Sequence, residues 1–195
     1  MAVRKVLQIG DPKLKNKNKI IANFSDKKLH NLIQNLKDTI NKAGLVGIAA
    51  PQIGENYTVF VTQPRNTKSR RVGKKDIFRV YINPKITYFS KDKIIIYEGC
   101  GSVVKGQLFG PVRRPKEIKI EAHDEKGQKF EIETDGLLAR VIQHEYDHMF
   151  GIEFTEKISD YRKLISQVFY RKNIRDREET KKLLNITKIK YKRLY

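Results

Sequence analysis

At 195 residues, with a single cysteine and a formal net charge of +19, the chain is long enough for one real core and excludes an internal disulfide framework. Apolar residues make up 39% and charged residues 32%, and no run approaches the roughly 18 apolar residues that a helical membrane span needs. The N-terminus carries no secretory pattern, so a cytoplasmic protein with no membrane partner is expected. The positive charge is uneven: Lys157 to Tyr195 holds 13 Lys and Arg against 4 Asp and Glu, and Gln63 to Lys75 holds six basic residues and no acid. Such clusters predict attraction to phosphates, as in RNA, with an ordinary solvated surface as the equal alternative.

In chain order, the arm through Phe24 reads as extended and basic, with Asp11-Pro12 marking a turn. Ser25 is placed to cap a helix in which Leu29, Leu32, Ile33, Leu36 and Ile40 recur at helical spacing until Gly44 stops it. His30 lies off that stripe and reads as a surface residue. Next comes LVGIAAPQIG, Leu45 to Gly54. Its small residues let another backbone approach closely, and the amide of Gln52 suits donation to a developing oxyanion; a tight strand-to-turn connection explains the segment equally well. Tyr57 to Thr62 and Ile77 to Asn83 read as strands on either side of the basic loop. Pro84 and Lys85 to Ser90 suggest a hairpin into Lys93 to Tyr97, which ends abruptly in EGCGS, Glu98 to Ser102.

A loop is expected through Gly110, then strands Glu117 to His123 and Lys129 to Glu133 flanking a turn, with Thr134 or Asp135 placed to cap a helix. His123, alone on a strand, reads as structural. Past Phe154, Ser159 is expected to cap an amphipathic helix carrying Tyr161, Leu164, Ile165, Val168 and Phe169 on one stripe. A short helix follows near Asp176 to Leu184. The ending ITKIKYKRLY alternates with period two, although so charged a tail fits disorder as well.

The stretch LLARVIQHEYDHMFG, Leu137 to Gly151, carries the chemistry. His144, Glu145 and His148 form an HExxH, which puts the two imidazoles one helical turn apart on one face. They continue an apolar seam begun by Leu137 and Val141, beside a second seam of Leu138, Ile142, Glu145 and Met149. Both seams face a core, and burying two imidazoles and a carboxylate unpartnered costs several kcal/mol, on the order of what a bound cation offsets. A chance HExxH on an ordinary helix is the alternative. A four-coordinate site needs a third protein ligand and a water. Glu153 and Glu156 are too close to His148 in sequence to reach around, and Glu178 and Glu179 sit in the charged tail. A lone cysteine is more often an inert core residue, but Cys100, between two glycines at a strand end, is the better candidate and as thiolate a strong donor to Fe(II), Zn(II) or Ni(II).

Taken together, LVGIAAPQ, EGCGS and QHEYDH resemble, in order, the GxGxAAxQ, EGCxS and QHExDH motifs of the peptide deformylase family, and the flanks VLQIGDPKL and DGLLARVIQHEYDHMFGIEF agree. The resemblance covers roughly residues 3 to 157 and implies an α+β fold, antiparallel strands packed around a central HExxH metal-binding helix. An N-terminal helix and a basic helical C-terminal extension would accompany it. The expected division is 1–157 as the catalytic domain and 158–195 as the extension. It implies removal of the N-formyl group from formyl-Met on nascent polypeptides, with Cys100, His144 and His148 holding one metal, by similarity Fe(II). Glu145 would be the general base and later acid. Gln52 and the Gly101 amide would stabilise the oxyanion, Gly47 would admit the substrate backbone, and Ile48, Val141 and Ile142 would line the methionine pocket. The extension would dock on ribosomal RNA.

The chain departs from the family pattern in three places. Leu45 stands where the family has the first Gly of GxGxAAxQ; Gly101 stands where it has Leu or Ile; and Ser102-Val103-Val104 replaces a Ser-Ile-Pro or Ser-Val-Pro run. Arg113 and Arg114 remain unassigned as substrate contacts. These departures motivate a second reading, an amide hydrolase of the same fold with a shifted acyl preference. The basic tail motivates a third, a non-catalytic RNA-binding paralogue.

Overall fold

The computed structural model describes residues 3–67 and 71–195. Lys68 and Arg70 of the basic loop lie outside the described residues. Helix α1, Lys27–Ala43, is capped by Asp26, whose carboxylate accepts from Lys28 N at 2.8 Å, rather than by Ser25 one position earlier. Gly44 ends it in the left-handed region at φ 64°. Its buried stripe is Leu29, Leu32, Leu36 and Ile40.

Strands β1 (Gly47–Ala49), β2 (Val59–Thr62) and β3 (Arg79–Phe89) begin a six-stranded sheet, and the paired strands among the described residues run antiparallel, with one isolated parallel bridge between Lys19 and Tyr57. Strand alternation divides β2 between two cores. Val59 and Val61 pack with the α1 stripe on one face, whereas Phe60 packs on the other, so a strand buried throughout needs no polar side. Pro84 does not end β3. The ladder shifts register between Ile82 and Lys85, where Asn83 adopts φ 50° and its side chain bonds Ile21 N and O at 2.9 and 2.7 Å.

After β4 (Lys93–Glu98) the end of the expected loop is already part of a strand, β5, Leu108–Pro115, paired with β4 from Gly110 to Pro115. Strands β6 (Ile118–His123) and β7 (Lys129–Thr134) form the anticipated hairpin and extend the large sheet, on which helix α2, Gly136–His148, lies. Its inner face, Leu138, Val141 and Ile142, meets Phe60, Tyr81, Ile118, Ile120 and Ile132 in the main core.

The C-terminal segment is built into this body. The helix expected from Ser159 is broken into a 3-10 turn at Tyr161–Lys163, a two-residue strand β8 (Ile165–Ser166) paired with β5, and helix α3, Gln167–Asn173, capped by Ser166. Val168 and Phe169 are exposed, and Tyr170 is the buried residue, stacked on Phe109 at 4.3 Å between centroids. After α4 (Glu178–Leu184), the alternating tail forms β9, Ile189–Arg193, at the edge of the large sheet beside β7, and Ile186 enters the main core. Asp135 is the N-cap of α2, but its carboxylate makes no cap bond to that helix: it accepts from Thr187 N and Lys188 N at 2.8 and 2.9 Å, pinning the tail.

Candidate metal centre and cleft

Two elements converge. Helix α2 presents His144 and His148 one turn apart, and β4 delivers Cys100 two residues past its last rung, so the donor atoms of all three lie within 4.8 Å of one another. Cys100 Sγ is 3.4 Å from His148 Nε2, and the Ser102 amide donates to the same sulfur at 3.4 Å. Among the described residues this is the group of side chains suited to a metal ion.

Behind the donors lies a buried ionic network. Glu98, six per cent exposed, meets His144 Nδ1 at 3.0 Å and accepts from Arg114 Nε at 2.7 Å and from Arg140 Nη1 at 2.8 Å. Arg114 also donates to Asp147 at 2.6 Å, and Lys157 pairs with Asp147 at 2.9 Å. Arg114 is therefore committed to the fold and is not a substrate contact, whereas Arg113 is exposed. Burial, the largest single influence, would raise Glu98, but the charge and hydrogen bonds of Arg114 and the contact with His144 together outweigh it and hold its pKa well below the carboxylate range. Burial would lower His144, yet its contacts with Cys100 and Glu98 hold it well above the imidazole range. His148 goes the other way: burial, then the His144 charge, push it well below. Glu145 is pushed up to about 7, mainly by burial.

Gln52 follows β1 in a 3-10 turn and is fixed at both ends of its amide. Its Oε1 accepts from Ala49 N at 2.8 Å, and its Nε2 lies 3.2 Å from Ser102 Oγ and 3.4 Å from Cys100 Sγ, so its N–H groups face the donor cluster. The Gly101 amide donates to no acceptor among the described residues. Gly47 has no room for a side chain: a Cβ there would lie 2.5 Å from both Glu145 Oε1 and Val141 Cγ1. At Gly101 a Cβ would meet Leu45 Cδ1 at 3.5 Å, so the Leu45 side chain occupies the space in front of Gly101.

These groups open on a cleft of about 210 Å³ whose lining includes Leu45, Gly47, Gln52, Cys100, Gly101, Val141, His144 and Glu145. Ile48 and Ile142, expected in the pocket, do not line it. Strand alternation turns Ile48 from Gly47 toward α1, and Ile142 faces the large sheet; both are fully buried. The apolar walls come instead from Ile96, Phe109, Leu137 and Val141, and one rim is Tyr170, Arg171 and Leu184 of the C-terminal segment. Neither β5 nor the course of the tail was legible beforehand, so this wall had no sequence signal beyond the aromatic character of Phe109 and Tyr170.

The site fits a divalent cation. A thiol sulfur and two ring nitrogens suit borderline metals. Carboxylate atoms buried without a partner, Glu145 Oε2 and both oxygens of Glu153, mark a place lacking positive charge.

Comparison with known proteins agrees with this chemistry. Residues 3–164 match the Polypeptide deformylase family. Peptide deformylase 1 of Ralstonia nicotianae is 36% identical over 159 residues, covering 82% of this chain and 88% of that one. The chloroplastic peptide deformylase 1B of Solanum lycopersicum is 37% identical over 156 residues, which span 80% of this chain and about half, 53%, of that longer protein. The Met-Ala-Ser-bound crystal structure of class I type b peptide deformylase from Acinetobacter baumannii superposes with a TM-score of 0.75 at 30% identity, covering 80% of this chain and 99% of that one. The chain belongs to the polypeptide deformylase family, metal-binding hydrolases that remove the N-formyl group from nascent peptides.

Proposed function

We propose that Cys100, His144 and His148 hold one divalent cation and that formyl-Met peptides are hydrolysed above it. The observation that carries this reading is the convergence of one sulfur and two ring nitrogens within 4.8 Å, beside a buried Glu145 oxygen with no partner. When bound, the cation supplies Lewis-acid activation of water and of the formyl carbonyl. Glu145 takes the proton of the attacking water and passes it to the departing amine, so the C–N bond breaks to formate and a free N-terminus. Gln52 Nε2 and the Gly101 amide donate to the oxygen that becomes negative, each such donor being worth about 3 kcal/mol.

Strand β1 is at the edge of its sheet, so an extended substrate backbone can add alongside it, close to Glu145 because Gly47 has no Cβ. Ile96, Phe109, Leu137 and Val141 take the methionine side chain. The relative from Acinetobacter baumannii was crystallised with Met-Ala-Ser, the peptide that deformylation of formyl-Met-Ala-Ser leaves.

The cation is Fe(II) in this reading, with Zn(II) or Ni(II) as substitutes for the same donors. Protein purified without oxygen is expected to hold one iron per chain, to release formate from formyl-Met-Ala-Ser, and to lose turnover on chelation and regain it with Fe(II). Metal-free protein that still turns over, or faster hydrolysis of acetyl-Met-Ala-Ser, would overturn it.

The enzyme is further proposed to work in the cytoplasm, docked on ribosomal RNA through exposed cations of the C-terminal segment. Lys172, Arg177, Lys182, Lys190 and Lys192 are all exposed. Deleting the segment would remove Tyr170 and Ile186 from the body, so charge neutralisation is the cleaner test. The fivefold Gln variant should keep peptide turnover and lose ribosome binding, with a shallower salt dependence.

A further inference from the structure

Each imidazole of the HExxH has a carboxylate behind it, and only one of the two is accounted for. Behind His144 stands Glu98, whose charge is spent on Arg114 and Arg140. Behind His148 stands Glu153, just past the helix in the turn Phe150 to Phe154. Its Oε1 is 3.7 Å from His148 Nδ1, its residue is 1% exposed, and neither of its oxygens has a hydrogen-bond partner. Leaving a carboxylate so placed costs several kcal/mol, on the order of a buried ion's desolvation, unless something compensates. Lys15, whose charge acts on Glu153, is itself engaged with the Gly151 carbonyl and Glu156 at the surface.

Tautomer logic supplies the compensation. His148 directs Nε2 at Cys100 Sγ, and a ring nitrogen that gives its lone pair to a metal leaves the hydrogen on the other nitrogen. That other nitrogen, Nδ1, faces Glu153, and an adjustment of less than about 1 Å brings the pair to hydrogen-bond length.

We propose that Glu153 is a positioning residue for the metal: it accepts the Nδ1–H of His148 and fixes that ring's tautomer and direction, as Glu98 does for His144, and, with no arginine paired to it, adds negative charge behind the donor set. This rests on the reading that Cys100, His144 and His148 hold a cation. The short separation from His148 that rules Glu153 out as a ligand is what seats it behind the ring.

The test uses the full-length chain with Co(II) as probe. Parent, Glu153→Gln and Glu153→Leu are titrated in competition with a chelator, recording the thiolate-to-Co(II) absorption and the melting temperature with and without metal. Removal of such a partner typically costs about 10- to 100-fold in metal affinity. Glu153→Leu should weaken Co(II) binding by that factor while leaving the metal-free chain as stable as the parent or more so, and Glu153→Gln, which keeps an acceptor but no charge, should fall between. A purely structural Glu153 gives the opposite pattern, a lower metal-free melting temperature with affinity within twofold of the parent, and overturns the proposal. Should the Leu variant not fold, affinity within twofold in the Gln variant, with an unchanged Co(II) spectrum, overturns it as well. Failure of the underlying reading looks different: the parent itself would then show no stoichiometric Co(II) uptake and no thiolate band.

Discussion

Gly47→Ala tests whether catalysis depends on the closeness of β1 to α2. The backbone at Gly47 is not in the left-handed region, so alanine meets no conformational obstacle, and the effect is one of space alone. The added Cβ would sit 2.5 Å from Glu145 Oε1 and 2.5 Å from Val141 Cγ1. Ordinary contact lies near ~3.5 Å, so about 1 Å of movement must be found. Val141 is β-branched and held in the main core, so Glu145 is the group that yields. Displacing a general base by about 1 Å costs on the order of 100-fold in rate. Overpacking should also lower stability by about 1–3 kcal/mol. Formate release from formyl-Met-Ala-Ser, metal content and urea unfolding separate these effects. The expected result is kcat/KM down by about two orders of magnitude with one metal per chain retained. A variant within threefold of the parent would show that Glu145 has slack at this position and would refute the reasoning.

Two further outcomes follow from the same geometry. Burial raises Glu145 from 4.5 to about 7, so the folded metal-free chain binds more protons than the unfolded chain in that window and loses stability as pH rises through it, by about 3 kcal/mol; metal-free Glu145→Gln should match the parent in urea near pH 4 and exceed it by about that much above pH 7, and a difference independent of pH would count against it. Leu45→Gly should open the space before Gly101, and Gly101→Leu should crowd it, each lowering kcat/KM; the double variant should recover with a coupling of about 1 kcal/mol or more, whereas additivity within about 0.3 kcal/mol would mean the two positions do not share that space.

Much of the site was legible because its residues are close in sequence or carry rare chemistry. The HExxH fixes its own geometry on a helix, and a lone cysteine between glycines at a strand end had one strong use. The α1 stripe and the β6–β7 hairpin were equally readable from period and turn residues. What escaped depended on long-range pairing. Strand β5 reads Leu-Phe-Gly-Pro-Val-Arg-Arg-Pro, and its Arg114 is buried only because Glu98 and Asp147 meet it from other elements. Ile48 and Ile142 are adjacent in sequence to residues that line the cleft, but adjacency in a strand or helix reverses or rotates the side chain, and neither reaches it. The stripe expected after Ser159 lost to the backbone of β5, which holds Ile165 and Ser166 extended.

Charge ties these parts together. In a chain of net charge +19, four acids, Glu98, Glu145, Asp147 and Glu153, are gathered at or behind one cluster of donors, and all four are buried. Two are matched: Glu98 by Arg114 and Arg140, and Asp147 by Arg114 and Lys157. Among the described residues the other two have no lysine or arginine paired with them, and burial pushes both upward, Glu145 to about 7 in the metal-free chain. A dication among Cys100, His144 and His148 would supply the missing charge to both at once, converting a buried electrostatic penalty into metal affinity. The excess of buried carboxylate is thus best understood as a property of the loaded site: these acids are arranged for a folded state that includes the cation.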